Sequence, residues 1–518
     1  MNPQEFLKDK KVLVVILGIY GGGAATAKWL FQNGAEVTVT DMRTEKELSH
    51  TMKLFTSKEK KGIRFVLGGQ YEEDFVSNDI IVIGPGVSQD SPYLMVARKA
   101  GKQIENDASL FFRFVKNPVI AVTGTRGKTT ITSWMAHLFG EKYGHFIPTG
   151  NNPEHAFLKE LAELKDVKRP VVAEMSSWQL ETFSVSKKAP HIAVITNLFP
   201  DHLNRYPDGM EGYAKAKANI FRYQTENDFL ILNDANPWMK FFLRQKPKSQ
   251  IFYFSKKPLA KGKNGMFVKD GVMFFQREGK QRKILDIKKF TEKMGEHNLE
   301  NLLATILAIM LFDSKFKITK KTIETLPQIP FRQEIIFNKA GLTIVNDSAG
   351  TSPDATIAIL RRFSTWGLDP QVILITGGTD KDLEFSELAK EIKKTIKSVD
   401  LVLLNGSATK KLILELEKIN FFGPSTPLDK LGAGRLRAGP FDKLRAGNKK
   451  IVLFETLEEC VEYAKGVLKN KPAVALRAVA RQSPGIILFS PGSASFEKFR
   501  NEFHRGEQFN KIIFFLTK

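Results

Sequence analysis

The chain has 518 residues, more than one hydrophobic core usually holds, so we expect two to four domains. Hydrophobic residues make up 42% and charged residues 26% of the sequence, which indicates a soluble globular protein and excludes a disordered one. The formal net charge is +22, carried mostly by scattered lysines with acids interleaved. We interpret it mainly as solvated surface that also favours an anionic substrate, and we expect no nucleic-acid partner.

The sequence shows no membrane or export signal. The first residues lack the basic start and cleavage site of a signal peptide, and no apolar run is long enough to cross a bilayer. Cys460 is the single cysteine, so the chain has no intrachain disulfide framework. We therefore expect a cytoplasmic protein without membrane insertion, and a monomer.

Strands and helices alternate along three regions, which predicts three α/β domains with mostly parallel sheets flanked by helices. The predicted domains are 1–106, 107–328 and 329–518. The predicted elements of the first are Val12–Leu17, helix Ala24–Gln32, Glu36–Thr40 and Asp79–Ile83. Those of the second are Pro118–Val122, Val171–Glu174, His191–Thr196 and helix Asn298–Leu311. Those of the third are the strands Leu342–Val345, Val372–Thr376, Leu401–Leu404, Ile451–Leu453 and Ile486–Phe489.

A glycine turn follows the first predicted strand. Ile16-Leu-Gly18-Ile-Tyr-Gly21 is an imperfect GxGxxG, because Ile16 stands in place of the first glycine. Asp41 ends the next strand, where a dinucleotide-binding fold places its ribose-binding acid. Alone, this weak pattern would indicate a dehydrogenase.

A second glycine turn carries more information. Gly124-Thr-Arg-Gly127-Lys128-Thr129-Thr130 connects a predicted strand to a predicted helix, so backbone N–H groups and the helix dipole favour an anion there. Lys128 can reach terminal phosphates, and the Thr129 hydroxyl suits Mg²⁺. The loop is shorter than a strict Walker sequence, and an ordinary strand–helix turn is the alternative. The predicted nucleotide-binding residues of the loop are Gly124, Thr125, Gly127, Lys128, Thr129 and Thr130.

Acidic residues follow two more strands of the second region. Glu174 ends one strand, and its carboxylate oxygens suit Mg²⁺. Asp201 and His202 follow the next strand. Alone, each is more often a solvated or capping residue, but beside a phosphate loop we favour metal ligation.

The third region contains a short repeat. Leu428–Gly434 is echoed by Phe441–Gly447, with a half copy between them. We predict a repeat-like surface insertion at about 424–450, since loops tolerate added length at little cost. A regulatory or binding role is the alternative.

These motifs resemble the Mur ligase family. Gly-Thr-Arg-Gly-Lys-Thr-Thr resembles the loop of Mur ligases and folylpolyglutamate synthases. The runs Glu174–Glu181 and Asn197–Tyr206 resemble those of the branch that adds D-glutamate, with Trp178 in place of a phenylalanine. The loop 84–92, the helix start 295–301, the run 346–351 and the ending 490–506 also resemble family motifs, in the same order along nearly the whole chain.

The resemblance implies an ATP-dependent, ADP-forming ligase that joins D-glutamate to UDP-N-acetylmuramoyl-L-alanine through an acyl phosphate, in peptidoglycan precursor synthesis. It implies a Rossmann-like UDP-binding domain, a P-loop-type ATPase domain and a Rossmann-like C-terminal domain that binds the amino acid. It also implies closure of the third domain onto the second during catalysis. The implied cofactors are ATP and two Mg²⁺ ions.

The resemblance also assigns residues. Lys128, Glu174, His202 and Lys217 are the implied catalytic residues, and Thr129, Glu174, His202 and Lys217 the implied metal ligands. Lys217 matches a lysine that many Mur ligases carry as a carbamate, with Lys215 the other possible match. Asn298, Arg332 and Asp347 would contact the nucleotide. The implied substrate-binding residues are Gly18, Gly21, Asp41, Arg43, Pro85, Gly86, Asn151, Thr351, Lys381, Ser495 and Phe503.

Departures from the family pattern leave two alternatives open. Ile16 replaces a glycine, and Ala349 replaces a lysine. The alternatives are another amide ligase, of Mur type or folylpolyglutamate type, and a catalytically silent nucleotide-binding homologue.

Overall fold

The computed structural model describes residues 2–19, 21–143, 149–150, 155–164, 166–201, 203–339, 341–366, 370–422, 445–446, 449–469 and 485–517. The chain forms two compact units, Met1–Pro327 and Gln328–Lys518. The first unit contains two large sheets and the second unit contains one.

The first sheet has five strands, β1 Lys11–Val15, β2 Glu36–Asp41, β3 Arg64–Leu67, β4 Ile80–Ile83 and β5 Gln103–Glu105. Its helices are α1 Pro3–Leu7, α2 Gly22–Gln32, α3 Ser49–Met52, α4 Ser57–Gly62, α5 Glu72–Ser77 and α6 Pro92–Lys99. The strand order is β3-β2-β1-β4-β5, and all neighbours are parallel. The carboxyl ends of β1, β2 and β4 therefore meet at one edge, which places the loops carrying Gly18, Asp41 and Pro85 together.

The second sheet has nine strands, β6 Val119–Thr123, β7 Thr149–Gly150, β8 Val171–Glu174, β9 Ile192–Ile195, β10 Phe229–Asn233, β11 Gln250–Ser255, β12 Gly265–Lys269, β13 Val272–Arg277 and β14 Lys280–Asp286. Its helices are α7 Asp107–Phe114, α8 Lys128–Tyr143, α9 Phe157–Glu163, α10 Ser177–Glu181, α11 Gly209–Ala218, α12 Met239–Arg244, α13 Lys288–Met294, α14 His297–Phe312 and α15 Lys320–Glu324. The order is β14-β13-β12-β11-β10-β9-β6-β8-β7, parallel from β12 to β7.

Strands β9, β6 and β8 are consecutive neighbours in this sheet, and every one of their residues is buried. Unbroken apolar runs are what helices on both faces of a parallel sheet require. The three strands end side by side at Thr123, Glu174 and Ile195, so the loops that follow them share one edge.

The sheet of the second unit has six strands, and a separate antiparallel pair, β19–β20, lies between its fourth and fifth in the chain. The strands are β15 Glu334–Lys339, β16 Leu342–Asn346, β17 Gln371–Thr376, β18 Leu401–Leu404, β19 Arg445–Ala446, β20 Lys449–Lys450, β21 Leu453–Phe454 and β22 Gly485–Phe489. The helices are α16 Pro353–Phe363, α17 Ser386–Thr395, α18 Ser407–Lys418, α19 Leu457–Lys469 and α20 Glu502–Thr517. The order is β15-β16-β22-β17-β18-β21, with only the β15–β16 pair antiparallel.

Short 3₁₀ helices complete the described fold at Phe183–Ser186, Leu203–Arg205, Asn219–Phe221 and Ser398–Asp400. In the described ranges, no helix combines the length and the apolar character needed to span a membrane.

The predicted fold class, α/β with mostly parallel sheets, is confirmed. The strands expected at Val171–Glu174 and Leu401–Leu404 match in both bounds, and most others differ by one or two residues. The strand expected at Ile451–Leu453 is instead Leu453–Phe454, where the chain pairs with β18. Most of the predicted insertion at 424–450 lies outside the described residues.

Candidate functional site

The glycine loop after β6 adopts a conformation that its two glycines alone allow. Gly124 has a φ of +142° and Gly127 a φ of +85°. A Cβ atom on Gly124 would lie 1.9 Å from Oγ1 of Thr196, and one on Gly127 would lie 2.3 Å from Oδ1 of Asn301. Steric space and backbone conformation therefore both require glycine at these positions.

The loop is held from the end of β9. The N–H groups of Thr125 and Arg126 donate to the main-chain oxygen and the side-chain Oδ1 of Asn197, at 3.0 and 2.9 Å. The Thr196 hydroxyl donates to the Arg126 carbonyl at 2.6 Å. These bonds fix the loop before any ligand binds.

Lys128 begins helix α8 and folds back over the loop. Its Nζ donates to the carbonyl oxygens of Gly124 at 3.1 Å and Thr125 at 3.2 Å. Thr129 is half-buried beside it, and Thr130 is buried. An ammonium group and the N-terminus of a 16-residue helix thus meet at one loop, which is an arrangement that binds phosphate.

A second lysine reaches the same loop from helix α11. Lys217 is 1% exposed, and its Nζ donates to the Gly124 carbonyl at 3.0 Å and to Oγ1 of Thr123 at 3.3 Å. Burial, and then the charge of Lys128, hold the pKa of Lys217 well below its usual 10.5, although Asp201 and Glu174 oppose the shift. Lys215 instead points outward, where it pairs with Glu211 and Asp208.

Two carboxylates border the loop. Glu174 ends β8 and is 8% exposed. Asp201 is 5% exposed and pairs with the Arg126 guanidinium at 3.1 Å. His202 and Asn151 lie outside the described residues. Among the residues that are described, no three His, Cys, Asp or Glu side chains form a metal-binding group.

The first turn of helix α14 packs on the loop. Asn298 lies in this turn, where its Nδ2 donates to the Met294 carbonyl and its Oδ1 accepts from Asn301, both at 2.9 Å. Asn301 borders Gly127, so Asn298, a predicted nucleotide contact, is linked to the glycine loop through Asn301.

The glycine turn of the first sheet keeps its backbone shape without its first glycine. Ile16 has a φ of +75°, a conformation that β-branched residues rarely adopt. Asp41 supports the turn from β2: its Oδ2 accepts from the Gly18 N–H at 3.0 Å and its Oδ1 from the Arg43 N–H at 2.9 Å. Gly21, with a φ of +87°, starts helix α2 as its N-cap.

In the second unit, Asp347 follows β16 and is fully enclosed. Its Oδ1 accepts from the Gln333 N–H at 3.0 Å, and its Oδ2 accepts from the Ser490 hydroxyl at 2.8 Å. Burial raises the pKa of Asp347 to about 7, although these two hydrogen bonds and Arg332 oppose the shift.

The predicted amino-acid residues surround the ends of β17 and β22. The hydroxyls of Ser493 and Ser495 are buried, and within the described chain neither has a hydrogen-bond partner. Thr351 and Lys381 are half-buried. Phe503 is exposed at the start of α20, with its ring 6.3 Å from that of Phe331.

A buried arginine connects the loops of this unit. Arg505 is 0% exposed, and its guanidinium donates to the hydroxyl and carbonyl of Ser348 at 3.1 and 2.8 Å. It also donates to the carbonyls of Ala494 at 3.0 Å and Ser493 at 3.1 Å. Arg505 therefore fixes the loop after β16 against the loop that carries the two unpartnered hydroxyls.

Family models match two parts of the chain. Residues 10–106 match the Mur ligase MurD-like N-terminal domain, and residues 122–309 match the Mur ligase middle domain. The chain is 35% identical to the UDP-N-acetylmuramoylalanine–D-glutamate ligase of Roseiflexus sp. (strain RS-1), over 98% of this chain and 99% of that protein. It is 32% identical to the enzyme of the same name from Borreliella burgdorferi (strain ZS7), over 98% of each chain. The chain belongs to the Mur ligase family.

Solved structures of other Mur ligases share the fold of this one. The UDP-N-acetylmuramate–alanine ligase of Thermotoga maritima aligns over 98% of this chain and 100% of its own, with a TM-score of 0.54 and 20% identity. The MurF ligase of Thermotoga maritima, solved in complex with ADP, aligns over 99% and 97%, with a TM-score of 0.52 and 15% identity.

Several residues of this Mur ligase site had no role predicted from sequence. Asn197, Glu181 and Tyr206 stood inside recognised motifs, but only the structure shows what they contact. Arg505 also stood in a motif, and only the structure shows that it is buried.

Proposed function

We propose that this Mur ligase joins D-glutamate to UDP-N-acetylmuramoyl-L-alanine and converts ATP to ADP and phosphate. The observation that carries the proposal is its 30–35% identity, over nearly the whole chain, to ligases named for this reaction. The geometry of the Gly124–Gly127 loop supports the nucleotide part. The proposal retains the three domains, 1–106, 107–328 and 329–518, and a monomer that acts in the cytoplasm.

The loop residues bind the phosphates of ATP. The N-terminus of helix α8 and the Lys128 ammonium supply positive charge where the substrate carboxylate approaches the γ-phosphate. Two anions repel each other at this step, so fixed positive groups lower the barrier. The bonds from Thr196 and Asn197 hold these groups in place, so little reorganisation is needed.

The residues around the loop fit magnesium. Glu174 offers a carboxylate at a strand end, and the Thr129 hydroxyl lies next to Lys128. Two Mg²⁺ ions would be held by Thr129, Glu174, His202 and a carbamate on Lys217, and would offset the charge of the phosphates.

The burial of Lys217 supports the carbamate. A carbamate forms when a neutral amine attacks CO₂ and loses a proton, and the lowered pKa of Lys217 keeps the amine neutral at a lower pH than for a surface lysine. The product places an anion beside the Lys128 ammonium, where the two opposite charges attract.

The reaction has two steps. A carboxylate oxygen of the alanyl group attacks the γ-phosphorus, the bond to the β-phosphate oxygen breaks, and ADP leaves. The amine of D-glutamate then attacks the carbon of the acyl phosphate, a proton is lost from nitrogen, and phosphate leaves with the former carboxylate oxygen.

The second unit binds the amino acid. The buried hydroxyls of Ser493 and Ser495 are unsatisfied donors in the described chain, and a carboxylate is the acceptor that compensates two such groups. Lys381 and Thr351 belong to the same proposed site, and Arg332 and Asp347 to the nucleotide contacts.

Phosphate release tests the proposal. ATP, Mg²⁺ and UDP-N-acetylmuramoyl-L-alanine are supplied with D-glutamate, L-glutamate, lysine, glycine or diaminopimelate. We expect phosphate release and a ligated product by mass spectrometry with D-glutamate only. No release with any of them, from folded protein that binds ATP, would contradict the proposal and favour a silent homologue.

A further inference from the structure

A second cluster of polar residues lies next to the nucleotide loop and takes no part in the proposed chemistry. Arg205 pairs with both carboxylate oxygens of Glu181, at 2.9 and 2.8 Å, and the Tyr206 hydroxyl donates to the same carboxylate at 2.8 Å. The guanidinium lies 4.9 Å from the centre of the Trp178 ring. We call Trp178, Glu181, Arg205 and Tyr206 the Arg205 cluster.

The cluster reaches across to a loop of the first sheet. Nη2 of Arg205 donates to the Val87 carbonyl at 2.9 Å, and Nη1 makes a longer contact with the Pro85 carbonyl at 3.4 Å. These carbonyls belong to the turn after β4, which is closed by a bond from the Val87 N–H to the Gly84 carbonyl at 3.1 Å. This turn carries Pro85 and Gly86, two of the residues that the family resemblance implies for binding the UDP-containing substrate.

On its other side the cluster is fixed to the strand that ends at Glu174. Glu181 is the last residue of α10, which starts three residues after that strand. The hydroxyl of Ser176 and the side chain of Gln179 cap the helix reciprocally, and Asn106 donates to the Gln179 carbonyl at 2.7 Å. Strand β8 is therefore connected to the turn after β4 through helix α10, Glu181 and Arg205.

A cavity lies beside the turn after β4, so the contacts from Arg205 are important for holding the turn in place. A cavity of about 780 Å³ borders the cluster, and residues 88–90 of the same loop line it. On the side where residues 88–90 face the cavity, the loop is bordered by open volume. Arg98 of α6 also donates to the Gln89 carbonyl, at 2.7 Å, but α6 and this loop both belong to the first sheet. Arg205, which follows strand β9, therefore provides hydrogen bonds from the second sheet's domain to the turn after β4.

Arginine is suited to this position. Its planar fork donates to two carboxylate oxygens and two carbonyls at once, while its face lies on an aromatic ring. The Glu181 carboxylate balances its charge, so Arg205 is committed to the protein and is not a free cation for the substrate.

We infer that the Arg205 cluster is a positioning device that sets the turn after β4, which carries the implied substrate-binding residues Pro85 and Gly86, at a fixed place relative to β8. Arg205 is a positioning residue, since it contacts backbone carbonyls and no reacting atom. The inference rests on the proposed function, in which the UDP-containing substrate binds at the first sheet. In this inference Glu181 and Tyr206, through their hydrogen bonds in the cluster, hold Arg205 in place against the turn.

The test compares R205K with R222K in the full chain. Arg222 lines the same cavity and is exposed, and its guanidinium donates to Oδ1 of Asn219, three residues away, at 3.2 Å. For R205K we expect the KM for UDP-N-acetylmuramoyl-L-alanine to rise about tenfold, because hydrogen bonds made by a charged group are lost. The KM for ATP and for D-glutamate should stay within about twofold. R222K should match the wild type.

Hydrogen exchange gives a readout that does not depend on activity. In R205K the amides from Val87 to Ser91 should exchange at least about tenfold faster, while amides of β6 and α8 stay protected. If R205K does not fold, E181Q replaces it, since loss of the carboxylate charge frees the guanidinium from its place.

Two results would overturn the inference: equal KM values for the UDP substrate in R205K and R222K, or unchanged exchange from Val87 to Ser91. If the wild type ligates no amino acid, the proposed function fails. The exchange comparison then still decides whether the Arg205 cluster holds the turn.

Discussion

Gly127 faces two independent constraints, its φ of +85° and the Asn301 side chain that borders it. We predict that G127A raises the Kd for ATP by about tenfold or more, because left-handed strain of roughly 1–3 kcal/mol adds to a clash that displaces the Asn301 side chain. Isothermal titration with ATP and Mg²⁺ measures the change.

Gly101 provides a matched control for G127A. Its φ is +68°, and a Cβ atom there would meet nothing within 4 Å. G101A therefore imposes the backbone strain without the clash and lies away from the loop. We expect it to lower stability slightly and to leave ATP binding unchanged. Equal ATP affinities in G127A and wild type would exclude a phosphate-binding role for this loop.

Asp347 makes the stability of the second unit depend on pH. The folded state holds its proton up to a pKa of about 7, whereas the ordinary value is 3.8. Between these values the folded state binds more protons than the unfolded state, so this group's contribution to stability falls as the pH rises from about 4 to about 7. The full change is on the order of 4 kcal/mol.

We predict that D347N removes this dependence. The difference in unfolding free energy between D347N and wild type should shift in favour of the variant as the pH rises from about 4 to about 7, measured by denaturant titration of the second unit's transition. A difference that is constant with pH would show that Asp347 ionises normally.

Helix α11 shows how an element selects between neighbouring lysines. Lys215 and Lys217 are two residues apart, so they lie on opposite sides of the helix. One pairs with acids in solvent, and the other is enclosed beside Gly124. From the sequence alone either lysine could be the functional one. The structure distinguishes them, because helix α11 turns Lys217 toward the loop after β6 and Lys215 toward solvent.

The two lysines make a matched pair of variants. We predict that K217R lowers kcat by at least about a hundredfold, because a guanidinium forms no carbamate and keeps its charge in a buried site. K215R should retain wild-type activity, since Lys215 makes only exposed ion pairs. Bicarbonate should activate wild type and K215R and have no effect on K217R. The reverse order of activities would show that Lys215 is the functional lysine.

At the scale of elements, the sequence predicted strands and turns best where a buried apolar run ends in characteristic turn or polar residues. The turn Gly124–Gly127 and the strand ending at Glu174 follow from an apolar run and the residue types after it. The antiparallel strands β13 and β14 were missed. Strand β14 begins with four exposed polar residues, three of them lysine or arginine, so it lacks an apolar run. The edge of a large sheet is set by pairing partners that sequence alone does not identify.

Contacts between distant parts of the chain were beyond sequence reasoning. Arg205 and Val87 are 118 residues apart, and Arg505 and Ser348 are 157 apart. Arg205 meets Val87 where the segment after β9 contacts the turn after β4. Arg505 meets Ser348 where helix α20 packs against the loop after β16. The residue types were visible in the motifs, but their partners were not.

At the scale of the whole molecule, the two units divide the proposed substrates between them. The first unit contains the nucleotide loop, the Arg205 cluster and the turns for the UDP end, and the second contains the unpartnered hydroxyls of Ser493 and Ser495. The relatives of this chain match along both units.

Oxygen transfer tests the central claim most directly. UDP-N-acetylmuramoyl-L-alanine labelled with ¹⁸O in the alanyl carboxylate is incubated with ATP, Mg²⁺ and D-glutamate, and the released phosphate is analysed by mass spectrometry. Activation of the carboxylate by ATP predicts one ¹⁸O atom in each phosphate and one left in the amide product. Phosphate without label, formed at the same rate with or without D-glutamate, would show that the chain only hydrolyses ATP.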